Sequence, residues 1–314
     1  MKNTFTLAAL ACLAAIPSPS MEATATSPAS FVDACRVTAV KARMARRAEV
    51  LSELFLALGI CANSTDPDEH AQCVADAWEE FFDGLGEAQE QFGARLDLCD
   101  LLGGGPYDPT IDPRDFAGGG ADNPFFPLVP GRTLTYQKTT AEGEIEVSVV
   151  TFLKETREIL GVECVAVRDT ESVDGEVVED TFDYYARDLE GNVWYFGELS
   201  MVFEDGFLVD LGGSWIAGED GASPGIIMPA DLFLGQTYRQ EFLLGEAEDA
   251  ATVLSRDASV SVPYGDFDGC RETLDFTPLE PGNVEHKFYA EGIGLVLEVD
   301  PANGERLELI DVQD

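Results

Sequence analysis

Two short phrases hold the residues best suited to chemistry. In "NVWYFGE", residues 192–198, a regular strand places Asn192, Trp194, Phe196 and Glu198 on one face and Val193, Tyr195 and Gly197 on the other. Aromatic rings beside a carboxylate can stack on a sugar or hold a cation, and the same row also makes half of a β core. In "VEHKFYAEG", Glu285, Lys287 and Tyr289 share one face, with His286 and Phe288 behind them. Trp215 lies in "GSWIAG", and Met228 lies in "EDGASPGIIMPA", a loop with two glycines and two prolines. A methionine among apolar residues can line a ligand mouth, or the loop can close over the core as a lid. The ligand-binding candidates are therefore Trp194, Phe196, Glu198, Trp215, Met228, Glu285, Lys287 and Tyr289.

Catalytic constellations are absent from the sequence. The chain has two histidines, His70 and His286, and no G-x-S-x-G elbow. His286 follows Glu285, but strand neighbours point apart and make no dyad. With 59 acidic residues, any chosen carboxylate pair is uninformative about glycosidase chemistry. No C-x2-C pair supports zinc, and no Walker or dinucleotide motif occurs. "DPDE", "YDPTIDPRD" and "GDFDG" are oxygen-rich without EF-hand spacing, which leaves room for a surface calcium ion and implies no other cofactor. No catalytic or metal-ligating residue is assigned, and the balance is against an enzyme.

The bulk composition excludes whole classes. A net charge of −40 over 314 residues repels phosphate backbones, so nucleic acid is not a partner. A small molecule or a protein remains as the partner. Residues 1–25, one Lys followed by a short apolar run and "ATA", read as a secretory signal. No later run is long enough for a stable membrane span. The chain reads as secreted, periplasmic or extracellular.

Export gives the cysteines a meaning. Losing Cys12 leaves six, an even number that favours disulfides. Cys35 lies 26 residues before Cys61, and Cys99 lies 26 after Cys73. Apolar positions step by three, four or seven through Val40, Met44, Leu51, Phe55 and Leu58, and by four and three through Val74, Trp78, Phe81, Leu85, Ala88 and Phe92, which predicts two amphipathic helices. The loop "NSTDPDE" stops one and caps the other. Helices joined so tightly run antiparallel, so residues whose numbers sum to about 134 face each other. The spacing predicts Cys35–Cys99 and Cys61–Cys73 bridges, with Arg47 opposite Glu87 and Arg43 near Glu90. The cationic helix could alternatively meet a membrane or partner, but pairing with the acidic helix is the simpler account.

Residues 102–131 are rich in Gly and Pro and read as a linker or strap, with "NPFFPLVPG" apolar enough to lie on the body and plug one end of its core. Residues 132–312 are β-branched and aromatic, broken by turn pairs such as "VDGE" and "ANGE". About ten antiparallel strands in meander order are expected, closed into a barrel or a strongly curved sheet. Cys164 and Cys270, the two cysteines left over, are expected to bridge distant strands, with free thiols as the alternative.

Several phrases of this region, "NPFFPLVPG", "GNVWYFGE", "PGIIMPA" and "TPLEPGNVEHKFYA", resemble in this order a family of uncharacterised secreted bacterial proteins. The resemblance covers about residues 105–311. It implies an exported β-rich domain and carries across no catalytic residue.

The expected architecture is α+β, with a signal peptide at 1–25, a disulfide-stapled antiparallel helical hairpin at 31–101, a strap at 102–131 and a large antiparallel β domain at 132–312. The expected function is an exported soluble binding or interaction module, holding a small apolar molecule in the β domain. A secreted carboxylate-dependent hydrolase and an envelope-associated protein docking a partner through the hairpin are the alternatives.

Overall fold

Helix α1, Ala34–Cys61, begins where Asp33 accepts a hydrogen bond from the Arg36 backbone N–H. Helix α2, Pro67–Leu102, begins at Asp66, whose side chain accepts from the Asp68 and Glu69 N–H groups, with Pro67 in the first turn where no N–H is needed. The helices fold back on each other and are joined at both ends, Cys35 to Cys99 and Cys61 to Cys73. Midway, Gly84 meets Val50, and a Cβ on Gly84 would lie 2.9 Å from Val50 Cγ2. The numbers 50 and 84 sum to 134, the register that the cysteine spacing dictates.

The buried face of α1 is rotated by one residue from the expected one. Ala39, Ala42, Val50 and Leu54 face the partner, whereas Val40, Met44, Leu51 and Phe55 are exposed. The small residues allow closer packing than the larger seam would. The rotation also shifts the ion pairs. Arg46, not Arg47, reaches Glu87 at 3.3 Å, and Arg43 bonds Gln89 and lies 4.0 Å over the Phe92 ring.

The computed structural model describes residues 33–118, 121–140 and 143–314. The expected leader at 1–25 lies outside them. Hairpin, strap and sheet belong to one compact unit, Asp33–Asp314.

The β region holds more strands than expected, because several are short segments of two to four residues. In chain order they are β1 (Thr133–Thr139), β2 (Ile145–Ile159), β3 (Val162–Val173), β4 (Glu176–Arg187), β5 (Val193–Leu199), β6 (Val202–Glu204), β7 (Phe207–Asp210) and β8 (Trp215–Ile216). They continue as β9 (Ser223–Met228), β10 (Thr237–Arg239), β11 (Glu241–Phe242), β12 (Ala250–Val262), β13 (Gly265–Phe276), β14 (Val284–Ala290), β15 (Gly294–Val299) and β16 (Arg306–Gln313). All sixteen belong to one antiparallel sheet, in the order β10-β12-β13-β14-β15-β16-β1-β2-β3-β4-β5-β9-β11, with β6, β7 and β8 attached beside β4 and β5. Two meanders are thus joined where the last strand pairs with the first.

The sheet is strongly curved and not closed. Its two edge strands, β10 and β11, are separated in the chain only by Gln240. At that corner Gly225 of β9 packs on the backbone joining the two edges, where a Cβ would lie 2.2 Å from the Gln240 carbonyl carbon. The core is continuous, from Leu134, Tyr136 and Phe152 through Phe196 and Met228 to Val296 and Leu309.

The expected third disulfide does not form. Cys164 on β3 and Cys270 on β13 are buried free thiols. Five strands, β14, β15, β16, β1 and β2, separate them in the sheet. Burial pushes the Cys164 thiol up to about 12, which keeps it in the unreactive protonated form.

Candidate functional site: an acid-lined cavity in the curved sheet

One face of eight consecutive strands, β14-β15-β16-β1-β2-β3-β4-β5, surrounds a cavity of about 540 Å³. Alternation puts every second residue into it: Glu146, Ser148, Val150 and Phe152 from β2; Val167, Asp169 and Glu171 from β3; Glu179, Thr181, Asp183 and Tyr185 from β4. Leu134 and Tyr136 of β1, with Phe126 and Pro127 of the strap, supply apolar wall. The strap is held there by Asn123, whose buried amide donates to the carbonyls of Gly191, Met228 and Pro229.

The polar wall is acidic. Eight carboxylates line the cavity: Glu146, Asp169, Glu171, Glu179, Asp183, Glu198, Glu285 and Glu298. Only two lysines, Lys138 and Lys287, face them. Glu171 sits directly opposite Glu179, and Asp183 directly opposite Glu198, on neighbouring strands. Such facing like charges repel unless a proton or cation intervenes.

Asp169, Glu171, Asp183 and Glu198 respond by holding protons. Burial raises Asp169 to about 6, against the pull of its hydrogen bond from Ser148. Burial, then the charges of Asp169 and Glu179, raise Glu171 to about 7. Burial likewise raises Asp183 to about 7, although the Tyr195 hydroxyl donates to it at 2.6 Å. Burial and the neighbouring Asp183 raise Glu198 to about 8. Lys287 behaves differently. Burial would lower its pKa, but Glu298, Glu285 and Asp275, at 3.4, 3.1 and 3.9 Å, reverse that and hold it well above the ordinary value.

Four of the sequence-derived candidates line this cavity: Glu198, Glu285, Lys287 and Tyr289. The other four do not. Trp194 and Phe196 turn to the opposite face and pack on Phe116 of the strap, with ring centroids 6.2 and 5.5 Å away. The regular alternation that would group them with Glu198 fails at a bulge. Tyr184 pairs with Gly197 and Tyr185 with Tyr195, so Phe196 is skipped and Glu198 joins Tyr195 on the cavity side. Gly197 is required there: its φ is +141°, and a Cβ would lie 2.4 Å from the Trp215 carbonyl oxygen. Trp215 stands behind the tyrosines, its ring 5.3 Å from Tyr195 and its Nε1 donating to Glu241 at 2.8 Å. Met228 is fully buried in the core, and Ile227 takes its place in the lining.

The sequence reading missed the acids of β2, β3 and β4. Their signal was present as a period of two in "EIEVSVV", "AVRDTES" and "EDTFDYY". Other polar residues occupy the opposite face, where Arg168 pairs with Asp180, so alternation alone could not tell inside from outside. His286 lies away from the cavity and pairs with Glu272 of β13 at 2.9 Å. Among the described residues, no group of three His, Cys, Asp or Glu side chains is arranged to hold a metal ion. No helix among them is long and apolar enough to cross a membrane.

No protein-family model and no curated protein matches the chain. Among solved structures, a "putative lipoprotein" from Parabacteroides distasonis aligns over 62% of this chain and all of its own, at 12% identity and a TM-score of 0.34. At that score the likeness bears on neither fold nor function.

Proposed function

We propose that the protein is an exported binding module whose curved sheet takes up a small cationic amphiphile. An ammonium group would lie among the carboxylates, and its apolar body would lie along Phe126, Leu134, Val150 and Phe152. The observation that carries this reading is the excess of eight carboxylates over two lysines on one concave face. The purely apolar ligand expected from the sequence would leave that acidic wall unmatched. Tyr185 and Tyr289 add aromatic rings to the wall. Two disulfides suit the oxidising compartment that export implies, in keeping with the resemblance to secreted bacterial proteins.

A hydrolytic reading finds a facing pair in Asp183 and Glu198. Acid–base chemistry, however, works with one carboxyl held protonated and another held ionised. Asp169, Glu171, Asp183 and Glu198 all move upward together, which suits a shared store of protons displaced by a cation. The docking alternative rests on a different observation, the exposed stripe of Met44, Leu51, Phe55, Trp78 and Phe82 on the hairpin.

Calorimetric titration with decylammonium, decyltrimethylammonium, decanoate and decanol tests the proposal. The two cations should bind one to one. Their affinity should rise between about pH 6 and pH 8.5, by roughly tenfold per unit of pH for each carboxyl that must lose its proton. Glu198→Gln and Asp183→Asn should weaken them. Binding of decanoate that equals that of the cations and responds to Glu198→Gln or Asp183→Asn, or cation affinity indifferent to both substitutions, would refute the reading.

A further inference from the structure

A second cavity, of about 260 Å³, lies where the hairpin meets the sheet edge and shares no residue with the first. Two arginines line it. Arg95 of α2 forms a two-pronged pair with Glu248, its Nε 3.0 Å from Oε2 and its Nη2 2.7 Å from Oε1. Glu248 also accepts from the Gly245 N–H. Its oxygens are therefore committed to Arg95 and the turn.

Arg239, at the end of β10, has no such partner. It is 8% exposed, and its Nε and Nη1 are sealed from solvent without a hydrogen bond. The rings of Phe242 and Tyr107 flank the guanidinium at 4.6 and 5.6 Å, but neither carries a charge. The Tyr107 hydroxyl is spent on the Pro224 carbonyl. The seam thus holds two buried cations and one buried anion, in a chain of net charge −40. Buried charges are normally paired, and the guanidinium fork is shaped to receive a carboxylate. The remaining wall is mostly apolar, with Ala39, Leu102, Pro106 and the Cys35–Cys99 disulfide beside the two rings, and Thr38 as its one hydroxyl.

We infer that this seam is a binding site for a small monocarboxylate with a short apolar tail, its carboxylate opposite Arg239 and its tail between hairpin and sheet. A site for a neutral ligand would not retain an unpaired buried guanidinium. A large anion would not fit the volume.

The test uses the whole oxidised protein and the sodium salts of butyrate and benzoate, with butyramide, benzamide and chloride as comparisons. Binding is followed by calorimetry and by ligand-observed NMR. Butyrate or benzoate should bind one to one, at least about tenfold more tightly than the matching amide. Arg239→Met should abolish this preference. Gly105→Leu offers a second variant that leaves Arg239 intact. Gly105 is exposed, lines the cavity, lacks a positive φ and has open space where a Cβ would go, so a leucine there narrows the mouth of the site without straining the backbone. It too should weaken carboxylate binding. Amides binding as well as acids, binding of chloride alone, no binding of either acid, or binding unchanged in Gly105→Leu would each overturn the inference.

Discussion

Raising the pH should destabilise this protein across the range where most proteins are steady. The cause is the acid wall. Asp183 titrates at about 7 in the folded chain, against about 3.9 in an unfolded one. Between those values the folded state holds a proton that the unfolded state has lost. Stability must then fall as pH rises, because the folded form binds more protons. The contribution is fully present below the unfolded value and gone once pH passes the folded one. Three units correspond to about 4 kcal/mol for this group alone. Glu198, at about 8, extends the decline further. Lys287 does not interfere, since its raised pKa places its own loss above this window. Asp183→Asn removes the charge, keeps the shape and leaves an acceptor for Tyr195. Unfolding free energies of parent and variant from urea titrations should be close near pH 4. They should diverge by about 4 kcal/mol near pH 9, with the variant the more stable. A parent whose stability rises from about pH 5 to pH 9, or a variant with no advantage at the alkaline end, would refute the reasoning.

Three further outcomes are expected. Glu248→Gln strips the charge from the carboxylate paired with the buried Arg95, so urea unfolding should show a loss of about 3–5 kcal/mol. Removing Cys35–Cys99, which closes 64 residues, should cost about 4 kcal/mol, and removing Cys61–Cys73, which closes 12, about 3 kcal/mol, as read by thermal unfolding of the paired serine variants. Among the described cysteines, a thiol reagent should find none reactive in the native chain and two after denaturation, Cys164 and Cys270; a Cys164–Cys270 disulfide in non-reducing peptide maps would contradict the free thiols.

The hairpin was legible because two constraints agreed. The mirrored cysteine spacing set the register, and the helical period set the elements. The one-residue rotation of α1 was hidden because alanines at 39 and 42 look weaker in a sequence than Val40 and Met44, yet only small residues let the helices close to the Gly84–Val50 distance. The pairing of the last two cysteines failed for a different reason: an even count says nothing of distance, and five strands lie between them. At the site, "VEHKFYAEG" is a regular strand, so its alternation placed Glu285, Lys287 and Tyr289 together. "NVWYFGE" is interrupted by a bulge at Gly197, and a bulge flips every residue beyond it to the other face.

The position of the hairpin follows from the one place where the sheet fails to close. Edges of a sheet carry unpaired backbone groups and invite pairing with other chains unless something covers them. Here the edges β10 and β11 meet at Gln240, and α2 packs on β10. Arg95 ties that helix to Glu248, just before β12, while Gln91 donates to the Leu279 carbonyl between β13 and β14. The helix that makes these contacts is held to α1 by both disulfides. A stapled pair of helices is thus laid across the seam in place of the missing ladder. Any event at the seam, such as filling the space beside Arg239, bears on the corner where the two edges of the same sheet meet. Loosening the hairpin by reduction should therefore weaken cation binding in the distant cavity, although no hairpin residue lines it.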